Sequence, residues 1–119
     1  MKAPGHYSRG EHLEQQQATL DPATHSETIV SNCQGAAHHF VCAGMQWAGI
    51  NHEQAGHVHS KHPSMLKQAA APGIVQQAWN DLERLRTRAF YGSGTDSAGA
   101  ADARLYLATI KGWAQSLHP

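Results

Sequence analysis

The chain is poor in the features that mark several classes of protein. Its 119 residues include two cysteines, Cys33 and Cys42, which fall on opposite faces of one predicted helix and so cannot pair with each other. No apolar run approaches the length of about 18 residues that suggests a membrane span. Nine basic and nine acidic residues cancel, which removes net charge as a basis for binding nucleic acid or an anionic membrane. We therefore expect a soluble, cytoplasmic protein without a disulfide framework or a membrane partner.

Helical periodicity is what the sequence has instead. No alternation of apolar and polar residues persists long enough to predict a strand, whereas apolar residues recur every three and four positions. Asp21 and Pro22 form a helix start signal, and Thr95 or Asp96 can cap the last helix. The predicted helices span residues 8–20, 22–49, 63–70 and 73–91, and a last one runs from the 95–96 cap to 117. The prediction is an all-α fold, a single-domain up-and-down bundle over 1–119 of four long helices and one short one, with a flexible N-terminus at 1–7.

Two of these helices carry further information. The second is crowded with glycine and alanine between Gly35 and Gly49. Glycine costs up to about 1 kcal/mol against alanine in a helix, so this composition predicts that another backbone approaches closely and that the helix lies at the bundle centre. The fourth helix has the most regular apolar stripe, which predicts a buried face made of Ile74, Ala78, Leu82, Leu85 and Ala89, widened by Val75 and Trp79.

Ten histidines are the most unusual feature of the composition. The segment between the second and third helices places His57, His59 and His62 at spacings from which three imidazoles could meet a zinc, nickel or copper ion. A solvated loop that binds metal only when metal is offered is the competing interpretation. His38 and His39 lie in the middle of the second helix, where a hydrogen-bonded structural histidine is the ordinary interpretation.

Several segments, taken in order, resemble the HEPN superfamily, the small helical domains named for higher eukaryotes and prokaryotes nucleotide-binding. The segments are residues 11–14, residues 31–39 with their small residues and closing histidine, the histidine loop at 57–62, and Leu85-Arg86 near the end of the fourth helix. The resemblance implies a homodimer formed through the small-residue helix and the Arg86 helix. It also implies binding of RNA or a nucleotide, or of a partner such as a nucleotidyltransferase, in a bacterial toxin–antitoxin or defence setting.

The chain departs from the family at its catalytic motif. In the nuclease members an arginine is followed after four to six residues by a histidine, but the positions after Arg86 hold Tyr91, Gly92 and Ser93. A phenol with a pKa near 10 is a poor base at neutral pH. We therefore expect a domain that binds without catalysis and needs no cofactor. The alternatives are a divergent ribonuclease that uses Arg86 with His39 or Tyr91, and a metal-binding protein with zinc or nickel at the histidine loop.

Arginines cluster on the fourth helix. Arg84, Arg86 and Arg88 could grip phosphate groups, because each guanidinium presents several donors in a plane. Arg84 and Arg88 share a helix face, and Arg86 points elsewhere. The simpler interpretation of Arg86 and Tyr91 is a cation that complements the helix dipole beside an aromatic ring that packs at the end of the bundle.

Overall fold

The computed structural model describes residues 1–50, 61–92 and 94–119, and these residues contain five helices. No strand occurs among these residues, so the all-α prediction is confirmed, as are the four long helices and the short one. None of the described helices is both long and apolar enough to cross a membrane. The helices are α1 (Ala3–Ala18), α2 (Ser26–Trp47), α3 (His62–Gln68), α4 (Gly73–Tyr91) and α5 (Ser97–Leu117).

The helix boundaries correct the sequence prediction at two places. The segment predicted as a flexible N-terminus is helical from Ala3, because a proline in the first turn favours a helix start and the side chain of His6 is buried. The second helix begins at Ser26 and not at residue 22. Asp21 Oδ1 accepts a hydrogen bond from the backbone N of Ala23 at 2.9 Å, so this side chain stabilises a turn before the helix.

The last helix begins where the sequence predicts. Asp96 is its N-cap, and its Oδ1 accepts a hydrogen bond from the backbone N of Gly99 at 2.9 Å. The fourth helix also matches its predicted bounds. Both boundaries follow from local signals, since a capping carboxylate and a glycine-rich stop act within one turn of the chain.

Helix α2 lies at the centre of the bundle, as predicted, and contacts each of the other four helices. The reason for its small residues differs from the prediction. A Cβ at Gly44 would collide with the indole ring of Trp113 on α5, so an aromatic side chain, and not a backbone, requires glycine at that position. The small residues Ala36, Ala37 and Ala43 are fully buried. These three small residues are therefore covered within one chain, and the dimer that the resemblance implies stays a prediction.

The inward face of α4 is corrected at Ile74, and Leu85 on the same predicted stripe is half-buried. Val75, Ala78, Trp79, Leu82 and Ala89 are buried as the stripe predicts. Ile74, by contrast, has 71% of its surface exposed, because Val75 takes the core-facing position in the first turn.

Long-range polar contacts tie α1 to the rest of the bundle. The guanidinium of Arg104 on α5 donates hydrogen bonds of 2.8 to 2.9 Å to Gln17 Oε1 and to the backbone oxygens of Gln17 and Leu20. Lys111 Nζ lies 2.7 Å from Glu14 Oε1. The first contact satisfies carbonyls that the end of α1 leaves without helical partners. Together they hold the C-terminal half of α1 against α5.

Candidate metal centre

Two of the candidate ligands lie one turn apart on α2. His38 and Cys42 are four residues apart and therefore share a face of the helix. Both are buried, with 8% of His38 and 2% of Cys42 exposed, and Cys42 Sγ lies 4.0 Å from His38 Nε2. This face of the central helix points toward α3, so the sulfur and the imidazole meet the third member of the cluster.

His62, the first residue of α3, is the third member. Its Nε2 lies 2.9 Å from Nδ1 of His38, and the two rings stack with an interplanar angle of 5° at 5.0 Å between centroids. One of these nitrogens donates and the other accepts, so the contact holds one proton. The ring of His62 also packs against Trp79 of α4 at 4.7 Å. The imidazole of His62 is thus fully enclosed between three helices.

Local sequence explains why His62 faces inward. His62, Met65 and Leu66 have the spacing of one helical stripe, and all three are buried. Pro63 sits in the first turn, where its missing N–H removes no hydrogen bond. The two apolar side chains dock α3 on the bundle, and the same rotation of the helix directs His62 toward His38.

The three side chains suit a transition-metal ion. One ligand atom from each of His38, Cys42 and His62 can be chosen so that all three lie within 4.8 Å of one another. In a tetrahedral zinc site with bonds of about 2.0 Å to nitrogen and about 2.3 Å to sulfur, ligand atoms are roughly 3.3 to 3.6 Å apart. For one ion to bind all three, the two nitrogens that are 2.9 Å apart would have to separate and exchange their hydrogen bond for bonds to the metal. Two imidazoles and a thiol are donors that zinc, nickel, cobalt and copper accept.

Burial controls the chemistry of the thiol. Desolvation raises the pKa of Cys42 to about 12 and acts in the same direction on Cys33, also to about 12. Without a cation, Cys42 is therefore a neutral thiol at physiological pH. A bound metal ion requires the thiolate and would displace that proton. Cys33 lies elsewhere on α2 and is not part of the group of three.

A second histidine pair adjoins the cluster. His6 Nδ1 of α1 lies 2.9 Å from His39 Nδ1, and the ring centroids of His38 and His39 are 5.0 Å apart. His6 is buried and His39 is half-buried. Four imidazoles from three helices therefore form a continuous row in the order His6, His39, His38 and His62. The contact between His6 and His39 packs α1 against α2, which also carries two of the candidate ligands.

The sequence-predicted metal ligands are placed only in part. His62 belongs to the cluster, and its partners are His38 and Cys42, which sequence reasoning assigned to ordinary core roles. His57 and His59 lie outside the described residues. Two signals could have found the observed site: the one-turn spacing from His38 to Cys42, and the stripe that places His62 on the inner face of α3.

The residues of the predicted nuclease-like site lie apart from this cluster. The guanidinium of Arg86 lies over the ring of Phe90 at 5.7 Å. Phe90 borders a cleft of about 280 Å³ whose other walls are Glu27, Thr28, Ser31 and Asn32 of α2. His39 is eight residues beyond Ser31, about 12 Å along the axis of α2. His39 therefore lies more than two turns along α2 from this wall of the cleft.

Tyr91 and the other arginines face different surroundings. Helix α4 stays regular through Tyr91, so the side chains of Arg86 and Tyr91 remain about 140° apart around its axis. Tyr91 is 81% exposed. Arg84 and Arg88 border a separate groove with Asp81 and Asp102, so carboxylates offset the positive charge there. The three arginines do not form one anion-binding patch within a chain.

The comparisons with known proteins bear on neither site. No protein-family model, no curated protein and no solved structure matches the chain. The resemblance to the HEPN superfamily therefore stays a prediction, and function must be argued from the geometry of the described residues.

Proposed function

We propose that this protein binds a transition-metal ion through His38, Cys42 and His62. The observation that carries the proposal is that three buried side chains of types that bind metals, from two separate segments, bring their ligand atoms within 4.8 Å of one another. Buried polar side chains are costly unless they are hydrogen-bonded or coordinate a metal. His38 and His62 meet this requirement through their mutual hydrogen bond, and the thiol beside them completes a group whose donor types also suit a metal ion.

The donor types restrict the class of ion. The group offers two nitrogens and a sulfur, whereas magnesium and calcium require oxygen ligands. Thiolate and imidazole together suit zinc, cobalt, nickel and copper. One thiolate would also offset part of the charge of a divalent ion, which lowers the cost of placing that ion in a dry interior.

The bound ion would fasten α3 to the central helix. Helix α3 has seven residues, and an isolated helix of that length is unstable in water. Met65 and Leu66 hold it against the bundle, together with the contacts of His62. Bonds from one ion to His62 and to two residues of α2 would lock this docking. The position of α3 would then depend on the availability of metal.

Metal titration of the full chain tests this proposal. We expect metal-free protein to bind one zinc ion with at least micromolar affinity at the cluster, and cobalt to produce the absorption of a thiolate-bound ion. His38→Ala and His62→Ala should each weaken binding by tenfold or more, because each removes a ligand. His12→Ala is the matched control, since His12 is an exposed histidine of α1.

Three outcomes would overturn the proposal. They are binding weaker than micromolar at every ion tried, an affinity that His38→Ala leaves unchanged, and an affinity that depends only on His57 and His59. The last outcome would favour the alternative in which the histidine loop alone holds the metal. Circular dichroism of each variant separates loss of a ligand from loss of the fold.

A second candidate function is supported by the cleft beside Arg86. The segment Ser31-Asn32 and the helix of Arg86, which carry two parts of the resemblance to the HEPN superfamily, border the same opening. A guanidinium resting on an aromatic ring beside hydroxyl and amide groups could receive a nucleotide or an RNA end. Glu27 in the same wall disfavours a highly charged ligand, so a single nucleotide or base fits better than a phosphate cluster.

Binding and cleavage assays with RNA test the second candidate. We expect Arg86→Ala to abolish binding of nucleotide or RNA, and Arg9→Ala, on the exposed face of α1, to leave it unchanged. Metal-independent cleavage of RNA that is lost in Arg86→Ala would show a divergent ribonuclease. Equal binding by both variants would exclude the cleft.

A further inference from the structure

The outer face of α4 and α5 exposes large apolar side chains. Ile74 is 71% exposed and Leu105 is 66% exposed, and they border a single groove between the two helices. Asp81 and Tyr106 continue from this groove into the next one, which Arg84 and Arg88 border. The two grooves therefore form one continuous surface, which we call the α4–α5 face.

The residues of α4 on this face are arranged so that the helix can pair with an antiparallel copy of itself. From one end of α4 to the other they are apolar, amide, acidic, basic, basic and aromatic: Ile74, Gln77, Asp81, Arg84, Arg88 and Tyr91. They are spaced by three and four residues and so lie along one stripe of the helix. If a second α4 helix lies antiparallel to the first, with both centred between residues 82 and 83, each side chain of the stripe faces one of compatible chemistry.

We propose that the α4–α5 face binds a second copy of this chain, with the two α4 helices antiparallel across a two-fold axis. Asp81 of each copy then faces Arg84 of the other, which gives two ion pairs at the centre. Gln77 faces Arg88, and Ile74 faces Tyr91 at each end of the contact. A two-fold interface requires such self-complementarity, because each surface patch meets its own copy.

Charge selects this arrangement over the parallel one. In a parallel contact Asp81 would face Asp81 and Arg84 would face Arg84, and like charges opposed at an interface are repulsive. Within one chain Arg84 Nη1 lies 3.4 Å from Asp81 Oδ1, and Gln77 Nε2 donates to that oxygen at 2.9 Å. The acid is thus already oriented on the stripe, beside the arginine that the second copy would share.

The dimensions of the face are sufficient for a dimer. The stripe from Ile74 to Tyr91 covers 17 residue steps, or about 26 Å of helix, and two packed helices are about 20 Å wide. Both copies together would cover on the order of 1,000 Å², which is the threshold for a biological interface and is typical of a weak, reversible dimer. Ile74 and Leu105, which are exposed in one chain, would then lie under the second copy.

Charge reversal offers a sharp test in the full-length chain. Asp81→Arg places an arginine opposite Arg84 of the other copy at both central pairs, and Arg84→Asp opposes two acids at each of them, so each variant should dimerise at least tenfold more weakly than the unchanged chain. Mixing the two variants should restore a dimer, because one variant then has arginine at both positions 81 and 84 and the other has aspartate at both. The double variant Asp81→Arg with Arg84→Asp should dimerise by itself.

Sedimentation equilibrium measures each dissociation constant, and Arg9→Asp on α1 is the matched control for a single charge reversal. A chain that stays monomeric at hundreds of micromolar would overturn the proposal. So would a dimer that neither reversal weakens, or one that mixing the two variants does not restore. Leu105→Glu adds a second probe that leaves the charges of α4 unchanged and should also weaken the dimer at least tenfold. None of these substitutions touches the metal cluster, so zinc affinity reports separately on the proposed function.

Discussion

Replacing Cys42 with serine tests the metal centre at its chemically most distinctive residue. Serine keeps the size of the side chain but removes the soft sulfur donor. Cys33→Ser is a closely matched control, because Cys33 lies on the same helix, is equally buried, and has a pKa raised by burial to about the same value of 12. The two variants thus differ mainly in whether the residue adjoins His38 and His62.

The expected magnitude follows from the pKa of the thiol. At a pH of about 7.5, a thiol with a pKa of about 12 loses its proton at a cost of roughly 6 kcal/mol. A metal ion that binds the sulfur must supply this free energy, and it releases one proton for each ion bound. The apparent affinity should therefore rise about tenfold for each unit of pH through the neutral range.

Calorimetric titration with zinc in buffers of different ionisation enthalpy counts the released protons. The unchanged chain and Cys33→Ser should release one proton more per ion than Cys42→Ser does. His38 and His62 can also release protons when zinc binds, but they are present in all three proteins, so the difference between variants reports on the cysteine alone. Cys42→Ser should also bind zinc at least tenfold more weakly.

Equal proton counts in all three proteins would refute the assignment of Cys42 as a ligand. An affinity that fell by the same factor in Cys33→Ser would do so as well, since loss of packing would then explain both results. Burial of a serine hydroxyl costs about 1 to 3 kcal/mol, so the melting temperature of each variant is measured alongside its affinity.

Three further predictions concern stability. Gly44→Ala should destabilise the fold by about 1 to 3 kcal/mol in thermal melts, because its Cβ meets the ring of Trp113. Gly112→Ala is the control, since its Cβ has open space around it, and it should be neutral or stabilising by up to about 1 kcal/mol. Arg104→Lys should lower the urea midpoint by an equivalent of about 1 to 3 kcal/mol, because lysine cannot reach the three oxygens at the end of α1 together; an unchanged midpoint would contradict this. Cys33→Ala should flatten the loss of stability above pH 9 by about 1.4 kcal/mol per unit of pH. Burial raises the pKa of this thiol from 9.0 to about 12, so its contribution to stability is complete below pH 9.0 and falls as pH rises toward 12. If the free energy of unfolding had the same slope against pH in the variant and the unchanged chain, this thiol would be excluded as the cause.

The helices were predictable because their signals act over short distances. The Asp96 cap and the regular stripe of α4 each depend on residues within a few turns, and the structure agrees with both. Asp21 shows the limit of such signals. Its side chain can cap a helix or close a turn, and the structure has the turn. Ile74 shows another limit, since a stripe does not determine which of two adjacent apolar residues the rest of the bundle covers.

The candidate site was predictable only at His62. The histidine loop drew attention to that residue, but its predicted partners His57 and His59 lie outside the described residues, and the neighbours that the structure shows are His38 and Cys42. His38 and Cys42 come from a helix that precedes it by about twenty residues, and no spacing rule links two such segments. Arg86 was predicted as a site residue by resemblance, and the structure adds the cleft with Phe90 that gives the prediction a testable form.

The sequence by itself determined the class of fold, the number of helices and the residues that each helix could bury, because periodicity and capping are properties of a chain segment. Tertiary structure decided which buried side chains meet. The docking of α3 sets His62 against His38, and the packing of α4 on α5 leaves Ile74 and Leu105 outside. These outcomes depend on the rotation of one helix relative to another. That rotation is set by the fit of all core side chains together, such as Trp113 against Gly44, and not by any one segment.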